Sequence, residues 1–353
     1  MKAKLLYFLI VLLFCVQQSA FAVRSLPDNN LSYPVLITLS DKSTASGFYL
    51  NSGDKYFLVT AKHVFFRIPP PKIDKKIEIP ENKILPRNIN KIRYNSYDKK
   101  IEFEGQMTQE ELITLLNWSP NDILRKIIIE IYDESQYKLK ATSAELLSYS
   151  ANVKEIEQNI IEVNLSNLLS SNRLRYSINQ DVAIIEIGEV TEEIKIKFID
   201  VIVKSKSNSG FLSVKKDGLK KYDDVLIGNE VYVFGFPTSL GLKNIPQIDY
   251  KKPLLRKGII AGINNNLKTI IIDCPIYFGN SGGPVIEVEQ VSLSKINFKV
   301  IGIISRFVPF VEIINNVTQN YQNINVTNSG YAVVVPIDFI LELIDKTTPN
   351  KSE

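Results

Sequence analysis

The chain has 353 residues, with 42 basic against 38 acidic side chains, one histidine and two cysteines. That near-balance, without long like-charge runs, argues against a nucleic-acid partner and against a charged tail. One histidine and two cysteines, one of them in the N-terminal leader, leave too few ligands for a His/Cys zinc site. No metal and no cofactor are expected.

The chain opens on Lys2 and Lys4, an apolar run over 5–16 and Ala20-Phe21-Ala22. Basic, apolar and small-x-small regions in that order read as an export signal over 1–22. The run falls short of the roughly 20 residues that span a bilayer core, and a retained membrane anchor is the plain alternative. No stable membrane insertion is expected after cleavage, and the location expected is secreted or periplasmic. Only Cys274 then remains, so an intrachain disulfide is excluded and the fold must rest on its core.

From 33 to 66 the segments PVLITLS and SGFYLNSGDKYFLVTAKHVFF alternate β-formers with Ser-Gly and Gly-Asp turn signals. Residues 67–176 differ in texture. They begin with a Pro-rich turn at 68–71, and Thr108 with Glu111 forms a capping-box pattern ahead of a helix over 108–118. This stretch reads as a large insertion in the first half of the chain. Strand-like runs return as VAIIEI, VYVFGFP, KGIIAGI, TIIIDCP, GGPVIEV, FKVIGIISR and GYAVVVP. They indicate an all-β barrel or sandwich. PIDFILELIDK, at 336–346, carries helical apolar spacing and predicts a terminal helix.

The chemistry concentrates in Phe278-Gly279-Asn280-Ser281-Gly282-Gly283-Pro284. Three glycines around one serine allow backbone conformations closed to side-chain-bearing residues. Such a turn can aim the amides of Gly279 and Ser281 at one point beside the hydroxyl, as an oxyanion hole does. An ordinary glycine-rich hairpin is the plain alternative. The same letters fit the G-x-S-x-G elbow, but Gly-Gly-Pro starts no helix and no histidine lies beyond Ser281. The one histidine, His63, lies upstream after an apolar strand, and is the chain's natural base for a serine nucleophile. Asp181 stands at the mouth of the buried-looking strand VAIIEI. It can orient the imidazole; the plain alternative is a strand-entry turn residue.

In this order the motifs resemble those of the trypsin-like peptidases of the chymotrypsin fold, and among them the Deg-type (HtrA-like) bacterial branch. Ser46-Gly47-Phe48 with Thr60-Ala61-Lys62-His63 resembles the family's histidine segment, and Asp181-Val182-Ala183-Ile184 its aspartate strand. GNEVYVFGFPTSLG (228–241), Lys257-Gly258-Ile259-Ile260, the 273–284 loop, Ile301-Gly302-Ile303-Ile304-Ser305 and Gly330-Tyr331-Ala332-Val333 are similar to the family's later segments. The resemblance implies two six-stranded β-barrels, over 23–200 with an insertion at about 67–176, and over 201–353 with the C-terminal helix. It implies a His63–Asp181–Ser281 triad, an oxyanion hole at Gly279 and Ser281, and protein or peptide substrates. The pocket for the residue before the scissile bond (P1) would have Pro275 at its base and Ile276, Ser305, Gly330, Tyr331 and Ala332 as walls. That lining lacks charge, so small or medium aliphatic P1 residues are expected.

The sequence also departs from the family. Asn280 replaces the aspartate by which the animal enzymes capture a new N-terminus, so that activation route is not expected. The chain stops soon after its terminal helix, so an appended PDZ module is not expected. Two other functions fit the same residues: ester hydrolysis with the same triad, and a catalytically silent binding module. Either way, both ends of the insertion are tethered beside the site, which suits a lid or exosite as well as a decorated barrel wall.

Overall fold

The computed structural model describes residues 26–67, 77–78, 92–95, 100–103, 137–150, 157–190, 196–205, 211–237, 245–292, 295–316 and 321–345. The expected leader at 1–22, the turn at 68–71 and the capping-box helix at 108–118 lie outside these residues.

The first half begins with β1 (Pro34–Leu39), β2 (Thr44–Ser52) and β3 (Lys55–Thr60), consecutive antiparallel neighbours. Gly53, at φ +68°, makes the β2–β3 turn at the Ser-Gly-Asp signal. After the one-turn helix Lys62–Phe65 come β4 (Phe66–Arg67), then β5 (Ile77–Glu78), β6 (Ile92–Asn95) and β7 (Lys100–Phe103), which form a small sheet of their own. β8 (Lys138–Leu139) returns to pair with β4. Next in the chain are β9 (Ser143–Tyr149), β10 (Gln158–Asn164), β11 (Leu174–Tyr176), β12 (Ala183–Val190), β13 (Ile196–Phe198), β14 (Val201–Ser205) and β15 (Val214–Lys215).

These strands build a ten-stranded sheet ordered β11-β12-β3-β2-β1-β9-β10-β14, with β13 on β12 and β15 parallel to β2. Two findings refine the sequence reading. β9, β10 and β11 fall inside the expected 67–176 insertion yet are integral to the sheet, because β9 pairs with β1 and β11 with β12. The excursion between sheet strands therefore narrows to the stretch between β4 and β8. β14 and β15 also pair into this sheet, beyond the boundary expected at 200.

The second half is a closed six-stranded barrel, β16 (Glu230–Gly235), β17 (Leu254–Asn264), β18 (Thr269–Asp273), β21 (Tyr321–Pro336), β20 (Lys295–Asn316) and β19 (Pro284–Ser292). Closure leaves no barrel edge to aggregate. Its interior is Val231, Val233, Ile260, Ile270, Ile272, Val285, Ile301, Ile304 and Val334, all buried. Their alternation with outward residues is the period-2 pattern of the sequence. The molecule is thus mostly β with curled sheets, as expected.

The helix Ile337–Asp345 buries Ile337, Ile340, Leu343 and Ile344 against the core of the first sheet. That stripe is the helical spacing read in the sequence. Arg175 Nη1 donates to Leu343 O at 2.9 Å, satisfying a carbonyl of the last turn. The chain's last described element therefore joins the two halves. Among the described residues, no helix is long and apolar enough to cross a membrane.

Candidate active site

The site lies where the two halves meet, and strand pairing brings its acid and base together. β3 and β12 are neighbours with Thr60 opposite Ala183, so the residues just after β3 lie beside those just before β12. His63 is on the one-turn helix just after β3, and Asp181 stands two residues before β12. His63 Nδ1 lies 2.7 Å from Asp181 Oδ2, and the His63 backbone N–H donates to Oδ1 at 3.0 Å. Ser305 Oγ adds a third bond, donating to Oδ2 at 2.6 Å.

An ionised carboxylate only accepts, so this network assigns the imidazole proton to Nδ1 and leaves the Nε2 lone pair free. Burial alone would raise the Asp181 pKa. The His63 charge and the bonds from His63 and Ser305 outweigh it and hold the carboxyl well below the usual range. Both side chains keep some contact with solvent, at 28% exposure for His63 and 25% for Asp181.

The serine loop is pinned from several sides. Asn280 N–H donates to Tyr277 O at 3.0 Å and Gly283 N–H to Asn280 O at 2.9 Å. Gly282 N–H reaches Ile304 O at 2.7 Å. A Cβ on Gly282, at φ +82°, would lie 2.1 Å from Thr60 Oγ1, 2.3 Å from Ser46 O and 2.8 Å from Ala61 N. Only glycine lets the first sheet approach the loop so closely. Gly279, at φ +95°, turns the chain just before the serine. Among the described residues, the amides of Gly279 and Ser281 donate to no protein acceptor.

Ser46, fully buried on β2, makes the cross-cleft connection. Its N–H donates to Ser281 O at 2.9 Å and its hydroxyl donates to Gly279 O at 2.6 Å. The same oxygen accepts from Phe236 N–H at 2.9 Å, and Thr60 Oγ1 donates to Ser46 O at 2.7 Å. Ser281 Oγ donates to Ser305 O at 3.3 Å, and no hydrogen bond joins it to His63 among the described residues. Ser305 therefore touches two candidate catalytic side chains, Asp181 through its hydroxyl and Ser281 through its carbonyl.

Of the expected P1 lining, Ile276, Ser305 and Ala332 are buried, Gly330 is half-buried, and Pro275 and Tyr331 are exposed. Cys274 N–H donates to Gly330 O at 2.9 Å and Asn328 Nδ2 to Ile276 O at 2.6 Å, drawing the two segments into one wall. Phe307 packs partly buried on the cluster holding Cys274, Ile276 and Ala332. The exposed Phe278 ring meets it edge-on, with centroids 6.0 Å apart. Burial pushes the Cys274 thiol up to about 11, so it stays protonated at neutral pH. No cluster of side chains suited to a metal occurs among the described residues.

Sequence reasoning assigns no role of their own to four contributors. Ser46 carries only the weak signal of a serine inside an apolar strand. Lys62 is visible as the one charge in FLVTAKHVFF apart from the histidine. Phe278 and Phe307 show only as aromatics flanking motif residues.

Residues 132–293 match the family model described as the trypsin-like peptidase domain. The matched stretch contains Asp181 and Ser281, and His63 precedes it. No curated protein matches the chain. Solved structures similar to it include Deg5, at 12% identity over 89% of this chain and 88% of that one, with a TM-score of 0.38. The HtrA-type protease AlgW with a tripeptide matches at 12% identity over 90% of this chain and 60% of that one, with a TM-score of 0.39. The protease Anisep from Arthrobacter nicotinovorans matches at 10% identity over 87% of this chain and 90% of that one, with a TM-score of 0.36.

Proposed function

We propose that this chain is an exported serine endopeptidase that uses Ser281, His63 and Asp181. The observation that carries the reading is the Ser305 bridge: one residue bonds both the acid that holds His63 and the serine hydroxyl, beside two amides without acceptors among the described residues.

In the reaction, the Ser281 side chain turns from the Ser305 carbonyl toward His63 Nε2. Its Oγ attacks the substrate carbonyl carbon as Nε2 takes the hydroxyl proton. The carbonyl π pair moves to oxygen, and the resulting oxyanion is met by the Gly279 and Ser281 N–H groups. His63, now protonated on both nitrogens, is stabilised by Asp181 and returns the proton to the leaving amine as the C–N bond breaks. Water then repeats the sequence on the acyl-enzyme and frees Ser281. Asp181 stays ionised throughout, in keeping with its depressed pKa.

The apolar wall of Ile276 and Ala332, with Phe307 packed on it, suits small or medium aliphatic P1 side chains. Export rests on the leader read at 1–22. Ester hydrolysis would use the same atoms. Labelling with a fluorophosphonate tests for a reactive serine. Digestion of casein against a small ester then separates peptidase from esterase, and absence of labelling would make the chain a silent module.

A further inference from the structure

Lys62 sits between the helix that carries His63 and the turn that carries Asp181, and the proposed reaction does not use it. The residue is only 6% exposed. Nζ donates to Ser177 O at 2.7 Å, to Ile178 O at 2.8 Å and to the Tyr137 hydroxyl at 3.3 Å, which uses all three ammonium hydrogens. The charge also lies 4.6 Å above the Tyr137 ring centroid.

Ser177 and Ile178 open the turn that delivers the acid. Ser177 N–H donates to Val182 O at 3.0 Å and Gln180 N–H to Ser177 Oγ at 3.2 Å, so the turn closes around Asp181. Tyr137 comes from the stretch that returns from the excursion into β8, and its ring lies against Phe66 and Tyr176. Two segments distant from Lys62 in sequence therefore converge on one ammonium. An apolar side chain of similar length would fill the volume without the cost of burying a charge. The ammonium adds two directed bonds to the carbonyls that begin the acid's turn.

We propose that Lys62 is a positioning residue that clamps the 177–181 turn to the histidine helix and so fixes Asp181 against His63. The proposal rests on the peptidase reading of the same site. The ionisable groups around Lys62 are Asp181, the adjacent His63, Tyr137 and, behind it, Tyr176, while Lys140 also feels Asp181. Burial brings the ammonium down to about 8, with Asp181 opposing that shift. Deprotonation would weaken the clamp just above neutral pH, giving activity an alkaline limb near that value.

The test compares Lys62→Met and Lys62→Arg with the wild-type full chain. For Lys62→Met, kcat on a short peptide and the fluorophosphonate labelling rate should fall about tenfold or more with KM within about threefold, since a misplaced orienting group costs rate before binding. Lys62→Arg, which keeps a charged donor for both carbonyls, should recover most of that loss and lack the alkaline limb, because a guanidinium does not titrate there. The downfield proton resonance of the His63 Nδ1–H···Asp181 bond gives a readout independent of turnover. It should shift or broaden in Lys62→Met and be restored in Lys62→Arg. Wild-type kcat and an unmoved resonance in Lys62→Met would overturn the proposal. So would an arginine variant as impaired as the methionine one at equal melting temperature, which would make Lys62 a packing residue only. If the wild type neither labels nor cleaves, the peptidase reading fails while the resonance still judges the clamp.

Discussion

Replacing Ser46 with Ala removes one oxygen of the first sheet that serves two buried partners across the cleft, both in the second half. Gly279 O loses the donor at 2.6 Å and Phe236 N–H loses the acceptor at 2.9 Å. Each orphaned buried group costs about 1–3 kcal/mol, so the variant should lose about 2–6 kcal/mol of stability. With an unfolding entropy of about 2.1 cal/mol/K per residue, a chain of this length shifts by about 1.3 °C per kcal/mol, so the melting temperature should fall by about 3–8 °C. Activity should fall further than that loss of fold explains. Gly279 O is the handle by which the first sheet sets the turn just before Ser281, and loss of one oxyanion donor costs about 10²–10³ in kcat. A partly freed donor should cost about 10–100-fold in kcat at a temperature where the variant is fully folded, with KM little changed. Calorimetry and peptide hydrolysis on the same preparation decide the matter. A lower melting temperature with kcat within twofold of wild type would refute the link from Ser46 to the oxyanion turn. No change in either would refute the bonds themselves.

Gly282→Ala should be among the most damaging single changes. A Cβ there overlaps Ser46 O and Ala61 N at a positive φ, so a loss of about 2–5 kcal/mol is expected by chemical denaturation, and a loss under about 1 kcal/mol would contradict the close approach. Asp181 has a folded pKa below its unfolded value of about 3.9. It therefore contributes stability above that pH and loses it as pH falls toward the folded value. The gap in unfolding free energy between wild type and Asp181→Asn should narrow below about pH 4, and a gap constant from about pH 6 to 2 would count against it. A peptide library should report Val, Ala or Leu at P1, whereas a preference for Lys, Arg or Glu would mean that a charged group reaches the pocket.

Much of the candidate site is legible in the sequence because the proposed chemistry restricts residue types. The loop around Ser281 needs glycine where Thr60 and Ser46 press against it, and those glycines stand out in a chain with few of them. His63 is conspicuous by being alone, and Asp181 by standing at the mouth of a buried strand. The supporting residues are not legible for the opposite reason. Ser46 acts through partners 190 and 233 residues away, which no local pattern encodes. A lysine beside a histidine carries no local sign that the 177–178 carbonyls fold over it. β9 and β10 read as insertion because they come after a long excursion, and only the pairing of β9 with β1 and β10 reveals that they belong to the sheet. β20 and β21 run past the barrel as one hairpin, with register shifts near Ile304 and Phe307 that disguise its period.

The most direct test locates the reactive atom. Wild-type protein treated with a fluorophosphonate should carry the label on Ser281 by peptide mass spectrometry, and His63→Ala should not label. Ser281→Ala should lose proteolysis by about 10⁵–10⁶-fold, with the double variant little worse, because the groups act as a unit. Label on a different serine, or casein digestion that survives Ser281→Ala, would contradict the account.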